Sequence, residues 1–245
     1  MRKLSGKTYW LVGASEGLGR ALAEKLSKAG CTLVLSARGT DSLQALAAEL
    51  PGAATVVPCD VSDRESVLKA AEAAGEIDGM VFLAGLYWPF PATEWDADQT
   101  EAMFDVNLTG AARVLGQVVP RMVARKAGHI VLTGSLSGYR GLPGSIGYSS
   151  SKAGLMHLAE SMHCDLRGSG VDVQLANPGF IRTRLTDKND FTMPFLMEPA
   201  QAADEIMNLM RSSRFQRAFP RLFSLVFRGA NLLPDWAYYR IFAGK

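Results

Sequence analysis

Tyr148 and Lys152 lie four residues apart at the start of a helical pattern that runs to Arg167. That spacing puts both side chains on one helix face. A free phenol has a pKa of ~10 and is almost wholly protonated at pH 7. Lowering that value by ~3 units takes ~4 kcal/mol of preferential stabilisation of phenolate. One ammonium at ~4 Å supplies about that much at an effective dielectric of ~20. The pair is therefore adequate as a general acid/base near neutral pH. The spacing alone would equally suit a solvated helix start. Ser135, just after an apolar run and thirteen residues before Tyr148, tips the balance, because its hydroxyl could hold a substrate oxygen. Ser137 is a rival for that role.

A second constellation lies near the N-terminus. Gly13-Ala14-Ser15-Glu16-Gly17-Leu18-Gly19 joins an apolar run to a helical pattern. Glycines there allow a tight turn and close backbone approach to a pyrophosphate, and the first helical N–H groups face the anion. The spacing is GxxxGxG rather than GxGxxG, and an empty strand-to-helix turn would look similar. The next apolar run ends in Ser36-Ala37-Arg38, with no acid before Asp41. Dinucleotide sites for NAD place an acid there, whereas those for NADP place an arginine nearby. Arg38 offers a fork of donors to a 2′-phosphate. Glu16 opposes an anion mildly. The cofactor expected is NADP(H).

These groups must be positioned by the elements around them. Thr8–Gly13, Cys31–Ala37, Ala53–Cys59, Asp78–Ala84, His129–Gly134 and Val171–Ala176 read as six strands, several apolar on both faces. Helical patterns separate them: Leu18–Ala29, one capped by Asp41 or Ser42 and running to Leu50, one opened by a Ser62/Glu65 capping box and running to Ala74, Gln99–Arg125, and Tyr148–Arg167. Alternating strands and helices predict an α/β fold, a single Rossmann-type doubly wound parallel sheet flanked by helices in three αβα layers.

In this order the motifs resemble the short-chain dehydrogenase/reductase family. The matches are Gly13-xxx-Gly17-x-Gly19, Asp60-Val61, Ala84-Gly85, Asn107, Ser135, Tyr148-xxx-Lys152 and Pro178-Gly179, over residues ~8 to ~184. The resemblance implies that Tyr148 is the acid/base. It implies that Lys152 holds the nicotinamide ribose and lowers the Tyr148 pKa, that Ser135 orients the carbonyl, and that Asn107 supports a proton-relay water. Asp60 and Val61 would contact adenine, while Pro178, Gly179, Ile181 and Thr183 would hold the nicotinamide end. Gly13, Ser15, Glu16, Gly17, Leu18, Gly19, Arg38, Ala84 and Gly85 complete the expected cofactor site, with Asn107, Tyr148 and Lys152 also in contact. Two departures, Val12 for the usual Thr and Leu83 for the usual Asn, affect packing rather than the catalytic groups. The family also implies a homodimer or homotetramer.

The remaining features mostly exclude. Net charge is +2, with 20% charged and 48% hydrophobic residues in a chain of 245. That balance does not point to nucleic acid. Three scattered cysteines and three histidines show no metal spacing, and a reducing, cytoplasmic location is expected. No apolar stretch reaches ~18 residues, so no transmembrane segment is expected. Residues 1–245 read as one catalytic domain, with a lid and helix over 185–212. Phe191, Met193, Phe195 and Met197 suggest an apolar or bulky carbonyl or alcohol substrate. The loop Trp88-Pro89-Phe90-Pro91 could line its pocket or simply be rigid.

Residues 213–245 read as a basic aromatic tail that the core does not need. Phe215, Phe219, Phe223 and Phe227 recur every four residues among arginines. Docking on the body or on an oligomer partner is favoured over contact with anionic lipid. The function expected is hydride transfer between NADP(H) and a carbonyl/alcohol pair. The alternatives are a non-catalytic NADPH sensor and a peripheral membrane-associated protein.

Overall fold

The computed structural model describes residues 1–242. Its strands are β1 (Thr8–Val12), β2 (Thr32–Ser36), β3 (Ala54–Val56), β4 (Gly79–Phe82), β5 (Gly128–Thr133), β6 (Val171–Pro178) and β7 (Gln216–Phe219). Its helices are α1 (Gly17–Lys28), α2 (Asp41–Glu49), α3 (Arg64–Ala73), α4 (Ala97–Phe104), α5 (Gly110–Ala124), α6 (Ile146–Asp165), α7 (Pro199–Arg211), α8 (Arg221–Ala230) and α9 (Asp235–Phe242). All strands are parallel, in the order β3-β2-β1-β4-β5-β6-β7. The expected doubly wound sheet is thus present.

Side chains alternate across the sheet, as period two requires. Trp10, Val12, Phe82 and Leu132 face one core, packed by Val67, Val114, Val118 and Leu155 of α3, α5 and α6. Tyr9, Leu11, Val81 and Val131 face the other, packed by Leu22, Leu26, Leu43, Ile206 and Met210 of α1, α2 and α7. Burial on both faces explains why β4 is apolar at every position.

Three local expectations are corrected. First, residues 216–219 are not part of a dispensable tail: they form the seventh strand, registered from Leu175↔Gln216 to Pro178↔Phe219. The four-residue Phe spacing mimics a helix, but Phe215 and Phe219 flank and end a strand, and Pro220 breaks it from α8. The strand is short and polar at its start because it is an edge. Second, α3 is capped by Asp63, whose Oδ1 accepts the Glu65 N–H at 2.9 Å, while the Ser62 hydroxyl donates instead to Asp60 at 2.6 Å. Third, the residue flanking α2 is Thr40, without a side-chain cap; Asp41 lies in the first turn. The Gln99–Arg125 region is α4 and α5, joined through a π-helical turn at Asp105–Thr109.

Candidate active site

The strand order reverses between β1 and β4, and loops leaving their carboxyl ends diverge there, which opens a crevice for a ligand. The glycine turn fills the gap at its base. Gly13 has φ +98°, and a Cβ on it would lie 2.5 Å from the Ala84 amide nitrogen. A Cβ on Gly19 would lie 2.0 Å from the Gly13 carbonyl oxygen. These glycines therefore let α1 press against β1 and β4, and they expose its first turn. That turn has no side-chain cap and no acidic residue, so its N–H groups are available to an anion.

A cleft of about 430 Å³ runs from this turn across the carboxyl ends of the inner strands. Gly13, Ser15, Glu16, Gly17, Leu18 and Gly19 line one end of it, with Arg38, Asp60 and Val61 beside them. Arg38 is exposed and takes part in no ion pair among the described residues. Burial alone would raise the Asp60 pKa, but hydrogen bonds from Ser62 and the charges of Arg38 and Arg113 hold it below the usual carboxylate value. The other end is formed by Ala84, Gly85, Tyr148, Lys152, Pro178, Gly179, Ile181 and Thr183. Thr183 also closes on Gly17, where a Cβ would lie 2.7 Å from the threonine methyl. Glu16 is paired with Arg184 at 3.0 Å, which answers the charge that opposed an anion there.

At the centre, α6 carries Tyr148 and Lys152. Lys152 is buried, and its Nζ donates to the Thr133 carbonyl at 2.8 Å. Burial pushes its pKa down to about 8. Gly85 presents no side chain here; a Cβ would stand 3.8 Å from that ammonium. Tyr148 is half-buried, and desolvation pushes its pKa up to about 12, with the adjacent Ser135 hydroxyl pulling the other way and Tyr87 reinforcing the rise. The Lys152 ammonium is 5.8 Å from the Tyr148 ring centre and aimed at Thr133.

Asn107 is fully buried in the π turn. Its Oδ1 accepts the Leu86 N–H at 2.7 Å, and its Nδ2 donates to the Leu86 carbonyl and to Ser151. The side chain is therefore committed to clamping the β4 loop to α6. Ser135 and Ser137 touch, with their hydroxyls 2.9 Å apart.

A second cavity, of about 590 Å³, opens on the other side of Tyr148. Ser135 and Ser137 provide its polar floor, and Pro89, Phe90, Phe180 and Phe191 its apolar walls. Pro89, Phe90 and Pro91 of the aromatic loop and Phe191 of the expected lid thus reach the cavity, whereas Trp88, Met193 and Phe195 do not line it. Nor does Met197: it bridges to Ile181 beside the core. Several lining residues escaped the sequence reading. Phe223 and Phe227 of α8 close one wall. Tyr87 packs edge-on against Tyr148, with ring centres 5.0 Å apart, and its hydroxyl donates to Asn189 at 2.8 Å. Aromatic spacing flagged the first pair, but only the β7 turn at Pro220 aims them inward. Nothing in the spacing marks Tyr87.

The crevice, the glycine turn and the Ser–Tyr–Lys cluster define a dinucleotide-dependent oxidoreductase site in form, and comparison with known proteins agrees. The family model for short chain dehydrogenases matches residues 7–193. An uncharacterized oxidoreductase of Myxococcus xanthus is 38% identical over 242 residues, 96% of each chain. A 3-oxoacyl-[acyl-carrier-protein] reductase of Rickettsia conorii is 30% identical over 188 residues, covering 77% of this chain and 78% of its own. Among solved structures, a short-chain dehydrogenase from Streptomyces avermitilis has a TM-score of 0.85 at 26% identity over 96% of both chains. One from Burkholderia cenocepacia J2315, in complex with NADP, has a TM-score of 0.88 over the whole of both chains at 21% identity, a likeness of fold. This chain belongs to the short-chain dehydrogenase family, oxidoreductases that work on CH–OH/C=O groups with a nicotinamide cofactor. No helix among the described residues is long and apolar enough to cross a membrane.

Proposed function

We propose that the protein is an NADP(H)-dependent carbonyl reductase or alcohol dehydrogenase acting on an apolar or bulky substrate, with Tyr148 as its general acid/base. The observation that carries this reading is the position of Tyr148. It is the ionisable side chain common to the cofactor cleft and the aromatic cavity, with Lys152 on the cleft side and Ser135 on the cavity side.

The residues suit a nicotinamide dinucleotide. The uncapped first turn of α1 would hold the pyrophosphate, Arg38 the 2′-phosphate, and Gly179, Ile181 and Thr183 the nicotinamide end. When bound, the nicotinamide exchanges a hydride with the carbonyl carbon. Ser135 donates a hydrogen bond to the carbonyl oxygen and fixes its direction. Tyr148 gives its proton to that oxygen during reduction and takes it back during oxidation. A phenol held near 12 is scarcely ionised at neutral pH, so nearby positive charge must favour phenolate for oxidation. Lys152, re-aimed from Thr133 toward the ribose side, and an oxidised nicotinamide both supply that charge. The aromatic walls exclude water and accept an apolar substrate body.

The test is the loss of reduced-nicotinamide absorbance against a panel of aldehydes and ketones, with NADPH and NADH compared. Turnover with NADPH, much weaker turnover with NADH, and rising efficiency with substrate apolarity are expected. Equal use of both cofactors would remove the Arg38 assignment. Full activity in Tyr148→Phe would remove the mechanism.

A further inference from the structure

The segment after β7 has a face that the active site does not use. At about 100° per residue, α8 divides into two apolar arcs. Phe223, Phe227 and Ala230 face inward, two of them on the substrate cavity. Leu222, Leu225 and Val226 face outward and are 71%, 54% and 51% exposed. Arg221 and Arg228 border the outward arc on one side. Leu232, Trp236, Tyr239 and Ile241, all strongly exposed, continue the apolar character into α9 and the turn before it. Arg140 pins this extension to the body: it donates to the Ala230 and Leu233 carbonyls, pairs with Asp235, and stacks on the Tyr238 ring. The outward residues are therefore held outside rather than loosely attached. Soluble monomers rarely display so many contiguous apolar side chains without a partner.

We infer that this face docks on an anionic bilayer surface, with α8 forming the wall between the membrane and the substrate cavity. Charge selects this occupant. From residue 206 to 242 the chain has six arginines, no lysine and a single acid, Asp235. Asp235 is taken by Arg140, and Arg217 is paired with Glu205. Arg221, Arg228 and Arg240 are exposed, and no acid forms an ion pair with them among the described residues. A two-fold contact with a second copy would place the same patch on both sides. The arginine border would then meet arginines. A bilayer with acidic headgroups supplies the opposite sign and an apolar interior together, as an interfacial amphipathic helix requires. Exposed Phe191 and Phe195 continue the apolar rim to the cavity, with Phe195 stacked on Phe223 at 5.3 Å. On the proposed function, the cavity would draw an apolar carbonyl or alcohol from the lipid phase.

Co-sedimentation of the full chain with vesicles tests the docking without any turnover. Vesicles of phosphatidylcholine alone are compared with phosphatidylcholine containing phosphatidylglycerol. Partition at least ~30-fold stronger into the anionic vesicles is expected, weakening as salt rises. Arg221→Gln with Arg228→Gln lowers that partition by ~30-fold, at ~1 kcal/mol per arginine. Leu225→Glu with Val226→Glu abolishes it. Both double variants keep the circular dichroism melt of the parent and its turnover of a water-soluble ketone, because none of the four side chains lines the cavity. No partition, equal partition into both vesicles, or partition untouched by both variants would overturn the inference. So would a dimer by light scattering that Leu225→Glu/Val226→Glu splits while vesicles bind nothing; the face would then belong to a second copy. A chain inactive on every carbonyl but bound to anionic vesicles would sink only the proposed function.

Discussion

The two cavities that meet at Tyr148 are made of opposite materials. The cofactor cleft is built of glycines, backbone N–H groups and isolated charges, on loops that leave β1, β2, β4 and β6 directly. The substrate cavity is walled by aromatic and proline side chains from four segments far apart in sequence, including α8 after the last strand. The first needs exact backbone placement and tolerates little change, since a single Cβ at Gly13 or Gly19 would collide with backbone. The second needs only volume and apolarity, which many side chains can supply. On the proposed function, cofactor chemistry is thus fixed by the sheet, whereas substrate choice is left to loops and to the C-terminal extension.

The largest effect should come from the ionisable residue shared by both. Tyr148→Phe keeps the ring against Tyr87 and removes only the hydroxyl, and its kcat should fall by ~10²–10⁴, with the KM for NADPH unchanged. A comparable rise in that KM would mean that Tyr148 is a cleft residue alone, and the division at its hydroxyl would be wrong. A smaller effect is expected on the cleft side. Arg38→Ser removes one charged fork, worth about 1.5–3 kcal/mol when it binds phosphate. The KM for NADPH should rise by ~10- to 100-fold, while NADH kinetics and the ranking of ketones stay as they were. A change in ketone ranking would show that the two cavities are not independent.

The same division explains what could be read from the chain. The cleft was legible because glycine spacing, Arg38 and the Tyr148/Lys152 pair are local patterns with a physical meaning wherever they occur. Six strands were legible from apolar runs buried on both faces. β7 was not, because Gln216 and Arg217 suit a half-exposed edge strand, and the four-residue Phe repeat points to a helix. Missing β7 hid the direction of α8, and with it the two phenylalanines that close the cavity. Tyr87 was hidden for another reason: its contacts with Tyr148 and Asn189 join residues 61 and 102 positions away, respectively, which no local period can report.

On the cavity side, Phe227→Ala should lower kcat/KM for bulky apolar ketones by ~10-fold, the scale of one lost apolar wall. Small ketones and NADPH binding should be unaffected. A uniform loss across all ketones would mean that α8 supports the catalytic geometry rather than the substrate body. The inward ring also packs edge-on against Phe223 at 5.0 Å, so the variant should melt slightly lower than the parent.

The smallest effect has the opposite sign, and it separates the two materials most directly. Lys152 is buried with its pKa pushed down to about 8. Below pH 8 the folded chain holds a charge away from water; between about 8 and the unfolded value near 10.4, the folded state binds fewer protons than the unfolded one. Stability from this group therefore rises with pH across that window. Lys152→Met removes the buried charge, at the cost of leaving the Thr133 carbonyl without its donor. The removed penalty is ~3 kcal/mol and the lost hydrogen bond ~2 kcal/mol, so a net gain of ~1 kcal/mol is expected at pH 7. Melts of the protein without cofactor, taken from pH 7 to pH 10, should show that gain shrinking as pH rises. Nicotinamide binding should be lost throughout. A variant less stable than the parent at pH 7 would mean that the ammonium supports the fold, and that the cleft, like the cavity wall, is held together by its functional side chains.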